Sequence, residues 1–201
     1  MKKLGVLGGT FNPLHNGHIA LAEAAQKAYQ LDEVLFIPSG NPPHKKEKTD
    51  IIDKEYRYEM VKLAIAGNKT WGVSRMEMDR PGFSYAVDTF KELKAKYKNA
   101  KLYYIMGLDS INEILEWRKP LELFKYCEII VGTRPGARIR TFRRMVKFPP
   151  LAQEVDKIDI IELNENISAS DIREKLKKGI SVADVVPTQV VKYIERKKIY
   201  Q

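Results

Sequence analysis

Short β-rich apolar runs alternate with stretches of helical spacing along most of this chain, and that alternation restricts the fold more than any other feature. Lys3 to Leu7 is a compact apolar run that ends in Gly8-Gly9, after which Ile19, Ala22, Ala25 and Tyr29 recur at helical period. Glu33 to Ile37 reads as a second buried strand stopped by Pro38, and Pro42-Pro43 exclude helix from the loop that follows. Tyr56 to Gly67 reads as a helix with Met60, Leu63 and Ala64 inward and Gly67 as its stop. Trp71 to Met76 is a further candidate strand, and Ser84 is placed to cap a helix carrying Val87, Phe90 and Leu93. Leu102 to Met106 and Glu128 to Gly132 are strand-like, separated by a segment holding Ile111, Ile114, Leu115 and Trp117. Beyond Arg134-Pro135-Gly136 the periodicity weakens until Ile158 to Leu163, a last strand. Two helical segments close the pattern, one ending near Gly179 and one following Pro187. Strands alternating with helices predict an α/β fold with a doubly wound, mainly parallel sheet covered on both faces. The expected organisation is a single domain over 1–201 with a small helical part over 165–201. In such sheets ligands bind beyond the carboxyl ends of the strands, where strand order reverses. The turn after Leu7 is therefore the first place to look for function.

The formal charge of +9 points to an anionic partner or a solvated basic surface. Much of the excess lies between Arg134 and Lys147, where Arg138, Arg140, Arg143 and Arg144 occur without an acid, and around Arg196-Lys197-Lys198. The single cysteine, Cys127, rules out an internal disulfide and a cysteine-rich zinc cluster, and its place before Ile129-Ile130-Val131 predicts a buried thiol. Hydrophobic residues make up 44% of the chain, yet no apolar run approaches the roughly 20 residues needed to cross a bilayer. The opening Met1 to Gly8 shares only its two lysines with a signal peptide, so a cytoplasmic location is expected.

Gly8-Gly9-Thr10-Phe11-Asn12-Pro13-Leu14-His15-Asn16-Gly17-His18 joins the first strand to the first helix. Its glycines allow a sharp turn and a close approach of backbone to ligand. With Asn16 as the expected N-cap, Gly17 and His18 fall in the first helical turn, where unpaired amides and the helix dipole favour an anion. His15 and His18 add donors at the same spot. Two other readings of the histidine pair stay open: exposed imidazoles at an ordinary helix start, and a zinc site with His44 as third ligand. Ile167-Ser168-Ala169-Ser170-Asp171-Ile172-Arg173 opens a second helix of this kind. Ser168 and Asp171 have capping-box spacing, and Arg173 supplies a permanently charged fork suited to phosphate oxygens.

The run from Gly8 to His18 resembles the signature of the nucleotidylyltransferase superfamily with the His-x-Gly-His element. Within it the chain is most similar to bacterial nicotinate-mononucleotide adenylyltransferases, in matches spread from Gly8 to Tyr200. The resemblance implies a Rossmann-like fold and an enzyme of NAD biosynthesis whose substrates are ATP and nicotinate mononucleotide. It implies His15, His18 and Arg173 as catalytic groups. It implies phosphate contacts from Gly8, Gly9, Thr10, Phe11, Gly17, His44, Lys45, Ile167, Ser168 and Ser170. On the mononucleotide side it implies Ser84, Tyr85, Ala86, Gly107, Asp109, Trp117 and Arg118, with Trp117 stacked on the nicotinate ring. Arg57 resembles a family arginine, with a surface role equally open. Four positions depart from the family pattern: Asn12 where Asp is frequent, Ala86 for Thr, Arg118 for Tyr, and Ala169 for Ser.

The reaction so implied needs no general base, because a phosphate monoester with a second pKa of about 6 is largely ionised at neutral pH. Positioning and electrostatics carry such transfers. Mg²⁺ is expected to travel on the ATP phosphates and water, with no ligand from protein side chains. Neither a nucleic-acid nor a membrane partner is expected, and a homo-oligomer is left open. A related transferase acting on phosphopantetheine or a small phosphorylated alcohol, a nucleic-acid-binding module built on the Arg138–Arg144 cluster, and a histidine-ligated metallohydrolase are the rival readings.

Overall fold

The structure, a computed structural model, describes residues 1–43, 51–133, 136, 140–147, 149–163 and 167–200. The first half of the chain runs β1 (Lys2–Gly9), α1 (Asn16–Tyr29), β2 (Glu33–Pro38), α2 (Lys54–Ile65), β3 (Trp71–Val73), α3 (Met76–Asp79), α4 (Ala86–Lys96) and β4 (Ala100–Gly107). It continues α5 (Leu108–Asn112), α6 (Pro120–Leu123), β5 (Glu128–Thr133), α7 (Phe142–Val146), α8 (Pro149–Ala152), β6 (Ile158–Glu162), α9 (Ala169–Lys177) and α10 (Thr188–Lys197). The strands form one sheet in the order β3-β2-β1-β4-β5-β6, and every neighbouring pair is parallel. From β1 the chain winds outward through β2 to β3, then returns to lay β4 on the other side of β1. Strand order therefore reverses between β1 and β4, where Leu7 pairs with Ile105.

The apolar runs are continuous because both faces of the sheet are covered, as parallel sheets require. Leu4 and Val6 of β1, Leu102, Tyr104 and Met106 of β4 and Ile129 and Val131 of β5 pack on one face against Phe90 and Leu93 of α4. Leu7, Tyr103, Ile105 and Ile130 point to the other face and meet Leu21, Ala22 and Ala25 of α1 with Val61 and Ile65 of α2. Gly5 belongs to that second face, where a Cβ would stand 2.7 Å from Leu31 and 2.9 Å from Ile105. The space a side chain would occupy is filled by its neighbours. A third apolar cluster joins Ile172 of α9, Val182, Val186, Val190, Tyr193, Ile194, Ile199 and Tyr200 to Met60 of α2.

Most expected elements stand within a few residues of their predicted bounds. The predicted strand over Trp71–Met76 is shorter, and its last residue starts α3 instead. Short helices α7 and α8 occupy the stretch of weak periodicity after residue 140. Cys127 is a free, buried thiol whose pKa burial pushes up, as befits a structural cysteine. No helix among the described residues is long and apolar enough to cross a membrane.

Candidate active site

A cavity of about 810 Å³ opens beyond the carboxyl ends of β1 and β4, at the reversal of strand order. Its lining includes Gly8, Gly9, Thr10, Phe11, His15, Gly17 and His18 from the turn after β1, and Ile167, Ser168, Ser170 and Arg173 from the start of α9. Ser84, Tyr85, Ala86, Gly107, Asp109, Trp117 and Arg118 line it as well. Residues separated by more than 150 positions thus share one cleft. His44 and Lys45 lie outside the described residues.

The turn after β1 is shaped by sterics and capping. A Cβ on Gly8 would come 3.2 Å from the Tyr104 hydroxyl, so the bare backbone lets the phenol into the cleft wall. Phe11, at a left-handed φ of 49°, is only 2% exposed and packs on Phe36 with its ring edge-on to His18 at 5.1 Å. Although it lines the cavity, its ring acts as a support beneath His18. The N-cap of α1 is His15, one residue before the expected Asn16. Asn16 is the first helical residue, and its amide donates to the Val185 carbonyl at 2.8 Å while its side-chain NH₂ reaches the Asp184 carbonyl at 3.3 Å. The Asn16 amide is thus bonded to the C-terminal part of the chain, and the His18 amide, one of the two donors expected to be unpaired, turns back to the His15 carbonyl at 2.9 Å.

The two histidines divide their roles. The His15 backbone N–H donates to His18 Nδ1 at 3.2 Å, which leaves the proton of a neutral His18 ring on Nε2. His15 lies at 3.7 Å between ring centroids from His18 and is 8% exposed; burial lowers its pKa to about 4. At neutral pH His15 is therefore an uncharged imidazole, and an N–H donor is the most it can offer a phosphate. Gly17 makes the stack fit: a Cβ there would sit 3.1 Å from His15 Nδ1 and 3.6 Å from the Ile167 Cβ. The second distance also shows how closely the start of α1 abuts the approach to α9.

At α9, Ser168 is the N-cap and its Oγ accepts from the Asp171 amide at 3.4 Å, in keeping with the spacing read from sequence. Arg173 reaches back to the first phosphate turn, donating from NH1 to the Asn12 carbonyl at 3.0 Å and from NH2 to Ser170 Oγ at 3.4 Å. Its Nε is buried and has no hydrogen-bond partner among the described residues. The two helix N-termini converge as expected.

The opposite wall is built differently. Ser84 does not cap α4, whose N-cap is Tyr85. Instead its Oγ accepts from the amides of Gly40 and Asn41 at 3.0 and 3.1 Å, and so holds the loop after β2 against the cavity. Trp117 is half-buried, packed against the core, with its ring 6.0 Å from that of Tyr104. Arg118 lies with its guanidinium 4.7 Å over the Tyr85 ring and 3.4 Å from the Asp88 carboxylate. Gly107 caps the short α5, on which Asp109 stands.

Two charged groups are buried beside the cleft: Arg57, for which the sequence left a surface role open, and Glu77, which the sequence did not single out. Arg57 is 1% exposed, not a surface residue, and donates to the carbonyls of Thr10 at 2.8 Å, Ile52 at 3.2 Å and Gly40 at 3.4 Å. It therefore staples the phosphate turn to the loop after β2. Glu77 lines the cavity and accepts from Thr89 Oγ1 at 2.6 Å; burial raises its pKa against the opposing pull of Thr89 and Arg80. Neither belongs to a local motif, since each is identified only by what the fold brings around it. No cluster of three or more His, Cys, Asp or Glu suited to a metal ion occurs among the described residues, and His44, the third ligand of the zinc reading, lies outside them.

Comparison with known proteins agrees with this geometry. The cytidylyltransferase-like family model matches residues 6–175. The "Probable nicotinate-nucleotide adenylyltransferase" of Thermoanaerobacter sp. is 40% identical over 202 residues, covering 99% of this chain and 94% of that protein. The protein of the same name from Moorella thermoacetica is 40% identical over 201 residues, covering 99% of this chain and 92% of the relative. Among solved structures, Plasmodium falciparum nicotinic acid mononucleotide adenylyltransferase complexed with NaAD shares the fold with a TM-score of 0.79, over 100% of this chain and 98% of that one, at 18% identity. Likeness over the whole length makes this chain a member of the cytidylyltransferase-like family and, within it, of the nicotinate-nucleotide adenylyltransferases.

Proposed function

We propose that the chain transfers the adenylyl group of ATP to nicotinate mononucleotide, giving nicotinate adenine dinucleotide and pyrophosphate, a step of NAD biosynthesis. A phosphate oxygen of the mononucleotide attacks the α-phosphorus of ATP, and the bond to the β-phosphate oxygen breaks as pyrophosphate leaves. The observation that carries this reading is the convergence of two helix N-termini, His18 and Arg173 on one cleft whose far wall holds Trp117.

In this reading the backbone and side chains of Gly8 to Gly17 and of Ile167 to Ser170 bind the phosphates, together with His44 and Lys45. The His18 Nε2–H and the Arg173 guanidinium stabilise charge as it builds on the departing pyrophosphate. His15 contributes as a neutral donor and as the stacking partner that holds His18. Tyr85, Ala86, Trp117 and Arg118 receive the nicotinate, with an electron-poor ring over indole as the main attraction. The whole chain works as one nucleotidyltransferase unit, in the cytoplasm. Asp109 and Glu113 are carboxylates of the cavity lining, without a three-ligand cage among the described residues. That donor set fits a Mg²⁺ ion carried by substrate phosphates and water, which when bound neutralises phosphate charge.

Incubating the protein with ATP and Mg²⁺ plus either nicotinate or nicotinamide mononucleotide, and following pyrophosphate, tests reaction and substrate together. Release with the nicotinate form is expected. No release with either mononucleotide overturns the reading.

A further inference from the structure

The turn between β1 and α1 takes many of its holds from distant parts of the chain. Pro13 has no amide to donate, and Phe11 sits in the left-handed region that side chains disfavour. Its polar groups must be anchored from outside, and the C-terminal part of the chain supplies several of the anchors. Asn16 is held by the carbonyls of Asp184 and Val185, and the Asn12 carbonyl accepts from Arg173. The Asn12 side chain receives a further bond: the buried hydroxyl of Tyr200, 188 positions away, donates to Oδ1 at 2.7 Å. The Ile52 amide approaches the same oxygen at 3.5 Å.

We propose that Tyr200 is a positioning residue for the transfer, fixing through Asn12 the phosphate turn that presents His15 and His18 and the point where Arg173 meets it. The proposal rests on the adenylyl-transfer reading for its kinetic consequence. Three features of the geometry support it. The Tyr200 ring belongs to the apolar cluster formed with Ile172, Val190 and Ile194, so the hydroxyl is carried on a packed base. Asn12 takes bonds at both of its oxygens, from Tyr200 on the side chain and from Arg173 on the backbone, so one small residue sets the relation between the turn and α9. The hydroxyl also lies near the guanidinium groups of Arg57 and Arg173, whose pull toward the phenolate is outweighed by burial. The phenol therefore stays protonated and keeps its donor. Arg57 meanwhile holds the Thr10 carbonyl, two residues before Asn12, so the turn is fixed at two nearby points by different parts of the fold.

The test is a double-mutant cycle on the full chain with Tyr200→Phe and Asn12→Ala, measured with ATP, Mg²⁺ and nicotinate mononucleotide. Tyr200→Phe keeps the ring and removes the donor. Misplaced catalytic groups lower turnover more than binding, so kcat should fall about tenfold while KM for each substrate moves by less than about twofold. The same change in the Asn12→Ala background should cost nothing further, because both act through one bond. Independently of turnover, imidazole ¹⁵N spectra should show His18 as the single Nε2–H tautomer in the wild type and as a tautomer mixture in Tyr200→Phe. A kcat within about twofold of wild type, or losses that multiply in the double variant, overturns the proposal. Should Tyr200→Phe not fold, Asn12→Ala leaves the ring in its cluster and decides the matter by the same kcat criterion. A wild type that releases no pyrophosphate, yet shows the tautomer change on Tyr200→Phe, refutes the reaction and leaves the hold of Tyr200 on the turn intact.

Discussion

The two walls of the cleft are held by different kinds of interaction. On the side of the β1–α1 turn, Thr10, Asn12, His15 and Asn16 are tied to residues distant in sequence or buried against one another, by bonds to Arg57, Arg173, Tyr200 and Val185. On the opposite side, Arg118 is held by an exposed pair with Asp88 and a ring contact with Tyr85, and Trp117 by partial packing. Exposed ion pairs are worth little and are screened by salt, whereas buried hydrogen bonds are costly to break. The chain thus spends its rigidity where charge must be met at fixed distances. The wall that receives the nicotinate in the proposed reading is left easier to adjust.

The sharpest way to break that contrast is His18→Ala. One donor to a developing charge is worth roughly 10²–10³ in rate, so turnover should fall at least about a hundredfold with an unchanged circular-dichroism spectrum. A loss below about threefold would remove His18 from the chemistry and, with it, the reason for so much bracing. Next in size is a stability effect at His15. Its folded-state pKa of about 4 lies below the ordinary 6.5, so the unfolded chain binds the proton more readily. Its contribution is complete above pH 6.5 and is lost as pH falls toward about 4. Between pH 7 and pH 5 this loss should amount to about 2 kcal/mol, visible in urea unfolding and absent from His15→Gln. An identical pH dependence in the variant would show that His15 is not buried as a neutral ring. The smallest effect belongs to the other wall. Arg118→Gln should raise KM for the mononucleotide by no more than about fivefold, an effect that fades as salt is added. A fiftyfold, salt-insensitive loss would instead mean that Arg118 is held as firmly as the groups of the β1–α1 turn, and the contrast between the walls would fail.

What could be read in the sequence was whatever has a local signature. The β1 run, its Gly8-Gly9 end, the α1 periodicity and the Ser168–Asp171 spacing all announce themselves within a dozen residues, and together they locate both phosphate helices. The residues that stayed hidden act across the fold. For Arg57 a surface role stays open in the sequence because charge is seldom buried, and the carbonyls of Thr10, Gly40 and Ile52 make its burial tolerable. Ser84 reads as a cap because serine often is one, yet it serves the amides of a loop more than forty positions earlier. The shift of the α1 cap from Asn16 to His15 has the same origin, since the Asn16 amide is held by the Val185 carbonyl far along the chain.

The bond from the His15 amide to the inner nitrogen of His18 also limits what that ring can do. A ring can pass a proton from one side to the other only if both of its nitrogens are free to exchange it. Here the inner position is occupied by the main chain, so a proton taken up on one side has no route out on the other. In the proposed transfer, any exchange is thereby left to the outward nitrogen of His18, on the side of the cleft, while the main chain keeps the inner one as an acceptor.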